Sequence, residues 1–189
     1  MRKVIGFKLP LRLKEIQRRA KRARFDLATN GLQEPELQPL LERAARGLKP
    51  AVLFETYAHP DADQEALAPV PGLAYSLVLA TLGPGLSQQR ESTRQENPAQ
   101  LPLWDIAEEA ALEEAVRFAT ALLEDEAAKE SCALSPISPL GDSAVLETVL
   151  RKLDGAKIGV TSRDGKLSPN ASSACSLSWL SKTKGRGKK

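Results

Sequence analysis

The sequence predicts a single α+β domain, because segments with helical periodicity and segments with strand character alternate along its 189 residues. Four segments repeat apolar residues every three or four positions, which is typical of helices packed against a core. Residues 73–83 form a continuous apolar run of strand length, and Asp164-Gly165 is a strong hairpin turn signal. We therefore expect a mixed or antiparallel sheet flanked by helices.

Two helices are predicted before the first strand. In the first helix, an apolar stripe extends from Leu13 to Leu27, and Asn30-Gly31 is a typical helix end. In the second helix, Pro35 suits a first helical position and the apolar residues continue to Leu48. Both helices need a sheet to pack against.

The middle of the chain supplies two strands and then a polar segment. Residues 51–58 have strand character, with Val52 and Phe54 expected on one face. Residues 73–83 are apolar throughout, which predicts a strand buried on both faces. Residues 88–100 are polar and interrupted by proline, which favours a mobile loop.

The longest helix is predicted over residues 103–129, and Glu113 falls at the border between its apolar stripe and its polar face. Residues 132–141 contain proline and glycine without periodicity and are predicted to form a loop. Asp142 is a good N-cap for a further helix, which continues to Leu153.

A hairpin is predicted at the end of the domain. Residues 158–162 have strand character, and Pro169 interrupts the segment that follows the Asp164-Gly165 turn. From Ser173 onward, apolar residues alternate with serines, which predicts a half-buried strand.

The formal net charge of +3 is unevenly distributed. The basic N-terminal region, residues 1–30, carries ten basic and two acidic residues, and residues 182–189 carry five basic residues and no acidic one. Basic ends attract polyanions, so a nucleic-acid-binding adaptor is one hypothesis. The acidic body and the lack of aromatic residues among the basic ones argue against it. A solvated helix face and a disordered tail are the simpler interpretations.

Composition also argues against several other classes of protein. No apolar run approaches the roughly 18 residues that cross a bilayer, and the charged N-terminus lacks the apolar core of a secretory signal. Cys132 and Cys175 are far apart in the sequence and are expected to be reduced thiols. His59 is the only histidine, which argues against a tetrahedral zinc site. We expect a cytoplasmic protein with no membrane partner.

Four short segments, taken in order, carry a resemblance to a known family. They are a strand with a Gly-Pro turn, a long helix in which an Asp precedes a Glu by eight residues, a proline-containing segment before a short helix, and a final hairpin with a Pro-Asn-Ala-Ser turn. These segments are residues 77–86, 103–115, 133–142 and 158–180. Together they resemble the activation domain of vitamin B12-dependent methionine synthase, with Asp105 and Glu113 as the acidic pair.

The resemblance implies an activation-domain-like domain over residues 1–181 that assists corrinoid-dependent methyl transfer without being a complete enzyme. In that family the domain binds S-adenosylmethionine in a shallow groove and faces the cobalamin of its partner. A flavodoxin- or ferredoxin-type reductant supplies an electron to the oxidised cobalt, and the sulfonium methyl group traps the reduced metal. The expected partner is therefore a corrinoid-binding protein or methyltransferase, and the domain's task is to position the reactants and exclude water.

The same resemblance implies cofactor contacts at six positions and no catalytic residue. The six are Glu113, Ser135, Pro136, Ile137, Ser138 and Ser172. The simpler alternatives are a solvated acid at the helix border for Glu113 and ordinary loop-forming roles for Ser135 and Pro136.

The proline-containing segment departs from the family pattern where the cofactor's carboxylate is held. The family has an arginine there, followed after three residues by Gly-Tyr, and the corresponding positions in this chain are Ala133, Ile137 and Ser138. Arginine forms two parallel hydrogen bonds with a carboxylate, and alanine forms none. The chain is therefore either a module that uses S-adenosylmethionine or a docking or structural subunit that has lost it. From the sequence alone, Ala133→Arg with Ile137→Gly and Ser138→Tyr is expected to create or strengthen binding.

Overall fold

An antiparallel sheet with helices on both faces forms the centre of the protein, which the computed structural model describes for residues 1–182. The strands are β1 (Arg2–Ile5), β2 (Ala51–Ala58), β3 (Ala74–Thr81), β4 (Cys132–Leu134), β5 (Ser138–Leu140), β6 (Thr161–Arg163), β7 (Lys166–Ser168) and β8 (Ser172–Ser181). The helices are α1 (Leu13–Arg22), α2 (Glu34–Gly47), α3 (Gln64–Leu67), α4 (Gly85–Glu96), α5 (Leu101–Lys129) and α6 (Ser143–Leu153).

The main sheet has the strand order β1-β2-β3-β8-β4, and β5 pairs with a second part of β8. All of its strand pairs are antiparallel. β6 and β7 form a separate hairpin, whose turn residues Asp164 and Gly165 have φ values of 53° and 74°. Positive φ at both positions is typical of a type I′ turn. The predicted α+β class, with an antiparallel sheet flanked by helices in one domain, is confirmed.

β2 and β3 have the two-sided packing that their sequences predict. Val52, Phe54 and Val78 belong to the core shared with α1, α2 and α5. Leu53 and Leu79 belong to the core on the other face, under α6. Each apolar side chain of this size stabilises the fold by roughly 1.5–3 kcal/mol when it is fully buried.

β8 is buried on both faces, so the half-buried strand predicted for this segment is wrong. Ser176 and Ser178 are only 1% and 2% exposed. The Ser178 hydroxyl donates to the carbonyl of Val70, in the segment between β2 and β3 that covers this face. On the α5 face, the indole N–H of Trp179 donates to Ser76 Oγ at 2.7 Å. Internal hydrogen bonds therefore let polar serines occupy buried positions.

The mobile loop predicted over residues 88–100 is also wrong, because most of this segment belongs to α4. Its sequence contains almost no apolar stripe, and polar contacts with α5 help to hold it. Trp104 Nε1 donates to Thr93 Oγ1 at 2.6 Å, and Arg90 forms an ion pair with Asp105 at 2.5 Å. Tertiary contacts therefore decide the conformation of this polar segment.

α1 ends at Arg22, five residues before the predicted end of its apolar stripe. The chain turns at Arg24, which has a φ of 57°, while the amide of Phe25 donates to the carbonyl of Ala20 at 2.9 Å. Asp26 then accepts hydrogen bonds from the following turn. A polar side chain that bonds its own backbone competes with helix, which explains the early end.

Residues 132–141, predicted as a loop, form β4 and β5, which are separated by an irregular segment at residues 135–137. The strand predicted at residues 158–162 begins only at Thr161, because Gly155–Ile158 forms a 3-10 turn. The sequence did not predict β1.

The predicted cap of α6 is confirmed, since Asp142 accepts hydrogen bonds from the amides of Ala144 and Val145 at 3.0 and 3.3 Å. The tail predicted over residues 182–189 lies outside the described residues except for Lys182, whose amide donates to the carbonyl of Ser131. Among residues 1–182, the helices lack the combination of length and apolar character that crossing a bilayer requires.

Candidate functional site

A cleft of about 550 Å³ lies between α5 and the part of the sheet formed by β5 and β8. Its volume is in the range of small-molecule sites. The α5 side is lined by Glu109, Leu112, Glu113, Val116, Arg117, Thr120 and Glu124, and the sheet side by Ile137, Pro139, Ser173 and Cys175. Fifteen residues separate Glu109 from Glu124 on the helix, so the cleft follows α5 for about 22 Å.

The lining of the cleft combines apolar side chains with two buried polar ones, Cys175 and Thr120. Cys175 is 2% exposed, and burial raises the pKa of its thiol to about 12. The thiol is therefore protonated at neutral pH and is a poor nucleophile. Thr120 is 8% exposed, and its hydroxyl is buried without a hydrogen-bond partner among the described residues. An unpartnered buried hydroxyl costs about 1–3 kcal/mol, which a bound ligand could recover.

Glu113 lies at the rim and is held by a residue from another helix. Arg19 of α1 donates to both of its carboxylate oxygens, at 3.1 and 2.5 Å. Arg19 also donates to Glu15 at 2.6 Å, and its side chain is only 12% exposed. The hydrogen bonds from Arg19 hold the pKa of Glu113 below its ordinary value. Glu113 is therefore ionised at neutral pH and already has a partner.

The remaining charges on the rim are mostly negative. Glu109 lies 3.6 Å from Arg19, and Arg117 donates to Glu114 at 2.9 Å. Glu124, at the far end of the cleft, has no ion-pair partner within residues 1–182. Within the described residues, three carboxylates and one guanidinium thus line the cleft. Arg19 offsets the charge of Glu109 and Glu113, so the end of the cleft near Glu124 is the part that attracts cations.

The irregular segment between β4 and β5 supplies only one of its predicted contacts to the cleft. Ile137 lines the cleft and is 43% exposed. The Ser135 hydroxyl donates to the carbonyl of Pro136 at 2.9 Å and accepts from the amide of Ser178 at 2.9 Å. Ser135 therefore has a structural role. Ser138 pairs with β8, and neither it nor Pro136 lines the cleft.

Ser172 lies on a different concave surface. Its hydroxyl donates to Thr81 Oγ1 at 2.9 Å, and it contributes to a depression next to Leu140 and Gly165. The following residue, Ser173, lines the cleft instead. Of the six sequence-predicted positions, the structure thus brings only Glu113 and Ile137 together in one cleft.

Sequence reasoning missed several residues of the cleft. Val116, Thr120 and Glu124 follow Glu113 at helical spacing, so the periodicity of α5 contained a signal for all three. Cys175 alternates with Ser173 along β8, which places both on the face that packs against α5.

Ala133, aligned with the arginine that holds the family's cofactor carboxylate, lies away from the cleft. Cys132 and Leu134 pack in the core next to α5. Side chains alternate along a strand, so Ala133 points to the opposite face of the sheet. The structure therefore gives this position no direct access to the cleft.

A second polar cluster lies on the α6 face. Lys152 donates to both carboxylate oxygens of Asp61 at 2.9 Å, and the Tyr75 hydroxyl also donates to Asp61 at 2.9 Å. The His59 ring stacks on Tyr75 with 5.7 Å between the ring centroids. The hydrogen bonds hold the chain after β2 against α6, so we interpret this cluster as structural.

Among the described residues, no group of three or more His, Cys, Asp or Glu side chains is arranged to hold a metal ion. No protein-family profile matches the sequence, and comparison with curated proteins gives no match.

Proposed function

We propose that this chain is a cytoplasmic accessory protein of corrinoid-dependent methyl transfer, similar in role to the activation domain of vitamin B12-dependent methionine synthase. The observation that carries the proposal is that Glu113 and Ile137 line one cleft. They come from two of the four segments on which the resemblance depends. The antiparallel sheet with flanking helices agrees with the fold that the resemblance implies.

The cleft residues do not fit S-adenosylmethionine well. In this role the cofactor would supply a sulfonium methyl group to cobalt reduced by a flavodoxin- or ferredoxin-type donor. Its carboxylate needs a cationic partner, and among residues 1–182 Arg117 is the only cationic side chain that lines the cleft. Arg117 is already bonded to Glu114, and Arg19 is bonded to Glu113 and Glu15. The arrangement therefore favours the docking form of the function, in which the chain binds a corrinoid protein without S-adenosylmethionine.

In the docking form, the protein's own residues provide a surface at the mouth of the cleft. Ile137 is exposed there and lines the cleft together with Leu112, Val116 and Pro139. An apolar patch rimmed by polar side chains is typical of a protein interaction site. The chain would thereby cover the corrinoid face of its partner and exclude water from it.

Titration of Co(II) corrinoid proteins with this chain, followed by the visible spectrum and by gel filtration, tests the proposal. We expect a complex and a spectral change, and Ile137→Glu should weaken the affinity at least about tenfold. Ile5→Glu is the matched control, because Ile5 is also exposed but lies on β1, at the opposite edge of the sheet. Absence of a complex with several corrinoid proteins, or equal loss in both variants, would contradict the proposal.

Calorimetry with S-adenosylmethionine separates the two forms of the function. We expect no tight binding by the unmodified chain. Micromolar binding would show that another residue anchors the carboxylate, and the form that uses S-adenosylmethionine would then be preferred.

A further inference from the structure

The α5 side of the cleft presents an ordered series of chemical groups. Val116, Thr120 and Glu124 are four residues apart, so their side chains follow one another on the same face of the helix at intervals of about 6 Å. All three line the cleft. A molecule lying along α5 therefore meets an apolar surface, then a hydroxyl, then a carboxylate.

The apolar part of this series continues across the cleft. Ile137 and Pro139 line the sheet side of the cleft, and Leu112 and Val116 line the α5 side. Apolar ligand surface that these walls remove from water stabilises a complex in proportion to its area. An aromatic ring or a short alkyl chain suits this part of the cleft.

The polar part selects for positive charge. Arg19 already binds Glu113, whereas Glu124 has no ion-pair partner within residues 1–182. A cation near Glu124 is attracted to its carboxylate, more strongly at the effective dielectric of a protein surface than in bulk water. A carboxylate in the same place is repelled by a similar amount.

The buried hydroxyl of Thr120 is the independent sign of a ligand. It is 8% exposed, has no hydrogen-bond partner among the described residues and lies one helical turn from both the apolar and the acidic residue. Native proteins rarely leave such a group unpaired. Its oxygen exposes less than 1 Å² of surface, so a ligand N–H or O–H bound to Glu124 reaches it only when the Thr120 side chain turns toward the cleft.

We propose that this cleft is a binding site for a small organic cation with an apolar body and no carboxylate. The apolar body packs between Val116 and Ile137, and the cationic N–H groups donate to Glu124 and to the Thr120 hydroxyl. The ligand class follows from the cleft residues alone and does not depend on a corrinoid partner.

Isothermal titration of the full chain with three probes that share one apolar body tests this site. The probes are 4-phenylbutylamine, 4-phenylbutan-1-ol and 4-phenylbutyrate. We expect the amine to bind tightest and the carboxylate weakest, with a difference of at least about tenfold between them. The preference should decrease as salt is added, because a rim charge is screened by ions.

Two variants and a control test whether Glu124 and Thr120 determine the affinity for these probes. Glu124→Gln should remove the preference for the amine over the alcohol, and Thr120→Val should weaken both by several fold without lowering the melting temperature. Glu147→Gln is the matched control, because Glu147 is an exposed acid on α6. Binding of no probe at millimolar concentration, equal affinity for the carboxylate, or an unchanged preference in Glu124→Gln would each overturn the proposal. These titrations contain no corrinoid protein. A negative result would therefore overturn this binding site without bearing on the proposed function, which has a separate test.

Discussion

Arg19 binds both carboxylate oxygens of Glu113, at 3.1 and 2.5 Å, although 94 residues separate the two in sequence. This bidentate pair joins α1 to α5 at the rim of the cleft. It also determines what Glu113 can do, because a carboxylate with both oxygens bonded to a guanidinium has less capacity to bind a ligand. The basic N-terminal region is thus partly neutralised within the fold, which further weakens the case for a nucleic-acid interface.

Removing the guanidinium should destabilise the fold modestly. We expect Arg19→Met to lower the free energy of unfolding by about 1 kcal/mol, because the pair is only partly shielded from water. Urea denaturation measures the change. Arg22→Met is the control, since Arg22 is exposed at the end of α1 and should change stability by less than about 0.5 kcal/mol. Equal effects of the two substitutions would show that the ion pair contributes nothing measurable.

The same ion pair should make stability depend on pH in the acid range. Arg19 holds the pKa of Glu113 below its ordinary value, and Arg18 and Arg19 lower the pKa of Glu15 from 4.5 to about 2. A carboxyl whose pKa is lower in the folded state stabilises the fold above its unfolded pKa and loses this contribution as pH falls through the folded pKa. The stability difference between the wild type and Arg19→Met should therefore be full at pH 6 and shrink between about pH 4.5 and 2. A difference that stayed constant over this range would contradict the assignment.

The hydrogen bond between Trp104 and Thr93 should be needed to hold α4 against α5. Trp104 is 2% exposed, so Thr93→Val leaves its indole N–H buried without a partner. We expect a loss of about 1–3 kcal/mol in the free energy of unfolding and faster amide exchange in α4. Ser92→Ala alters the neighbouring, exposed position and should have little effect. Unchanged exchange in Thr93→Val would mean that other contacts hold the helix.

The position aligned with the family arginine offers a direct test of the cleft's geometry. Because Ala133 points to the face opposite α5, we expect Ala133→Arg, alone or with Ile137→Gly and Ser138→Tyr, to give no gain in affinity for S-adenosylmethionine. This reverses the expectation from sequence alone. Calorimetry with each variant decides the matter, and a clear gain would show that the strand places this side chain differently.

Local sequence signals predicted the parts of the fold that depend on neighbouring residues. The alternation in β2, the apolar run of β3 and the Asp142 cap are of this kind. The sequence did not predict α4, because contacts with Trp104 and Asp105 on another helix hold it. Nor could it reveal that the buried hydroxyl of Ser178 in β8 is satisfied by the carbonyl of Val70.

In the candidate site, too, the sequence predicted the features that depend on local periodicity and missed those that depend on distant contacts. The helical period correctly placed Glu113 at a border, and the same period extends to Thr120 and Glu124. The pairing with Arg19 joins distant segments and has no local signature. The strand at Ala133 was hidden because proline and glycine nearby favoured a loop.

The two edges of the main sheet differ in sequence, but both are protected against pairing with a further strand. β1 carries Arg2 and Lys3, and the β4–β5 side is broken at residues 135–137 and contains Pro139, which has no amide hydrogen to donate. Charged side chains at the β1 edge disfavour pairing with a further strand, and so do the break and the proline at the β4–β5 edge. Concentrated solutions of the protein should therefore resist edge-to-edge aggregation, and association with other chains should proceed through side-chain surfaces.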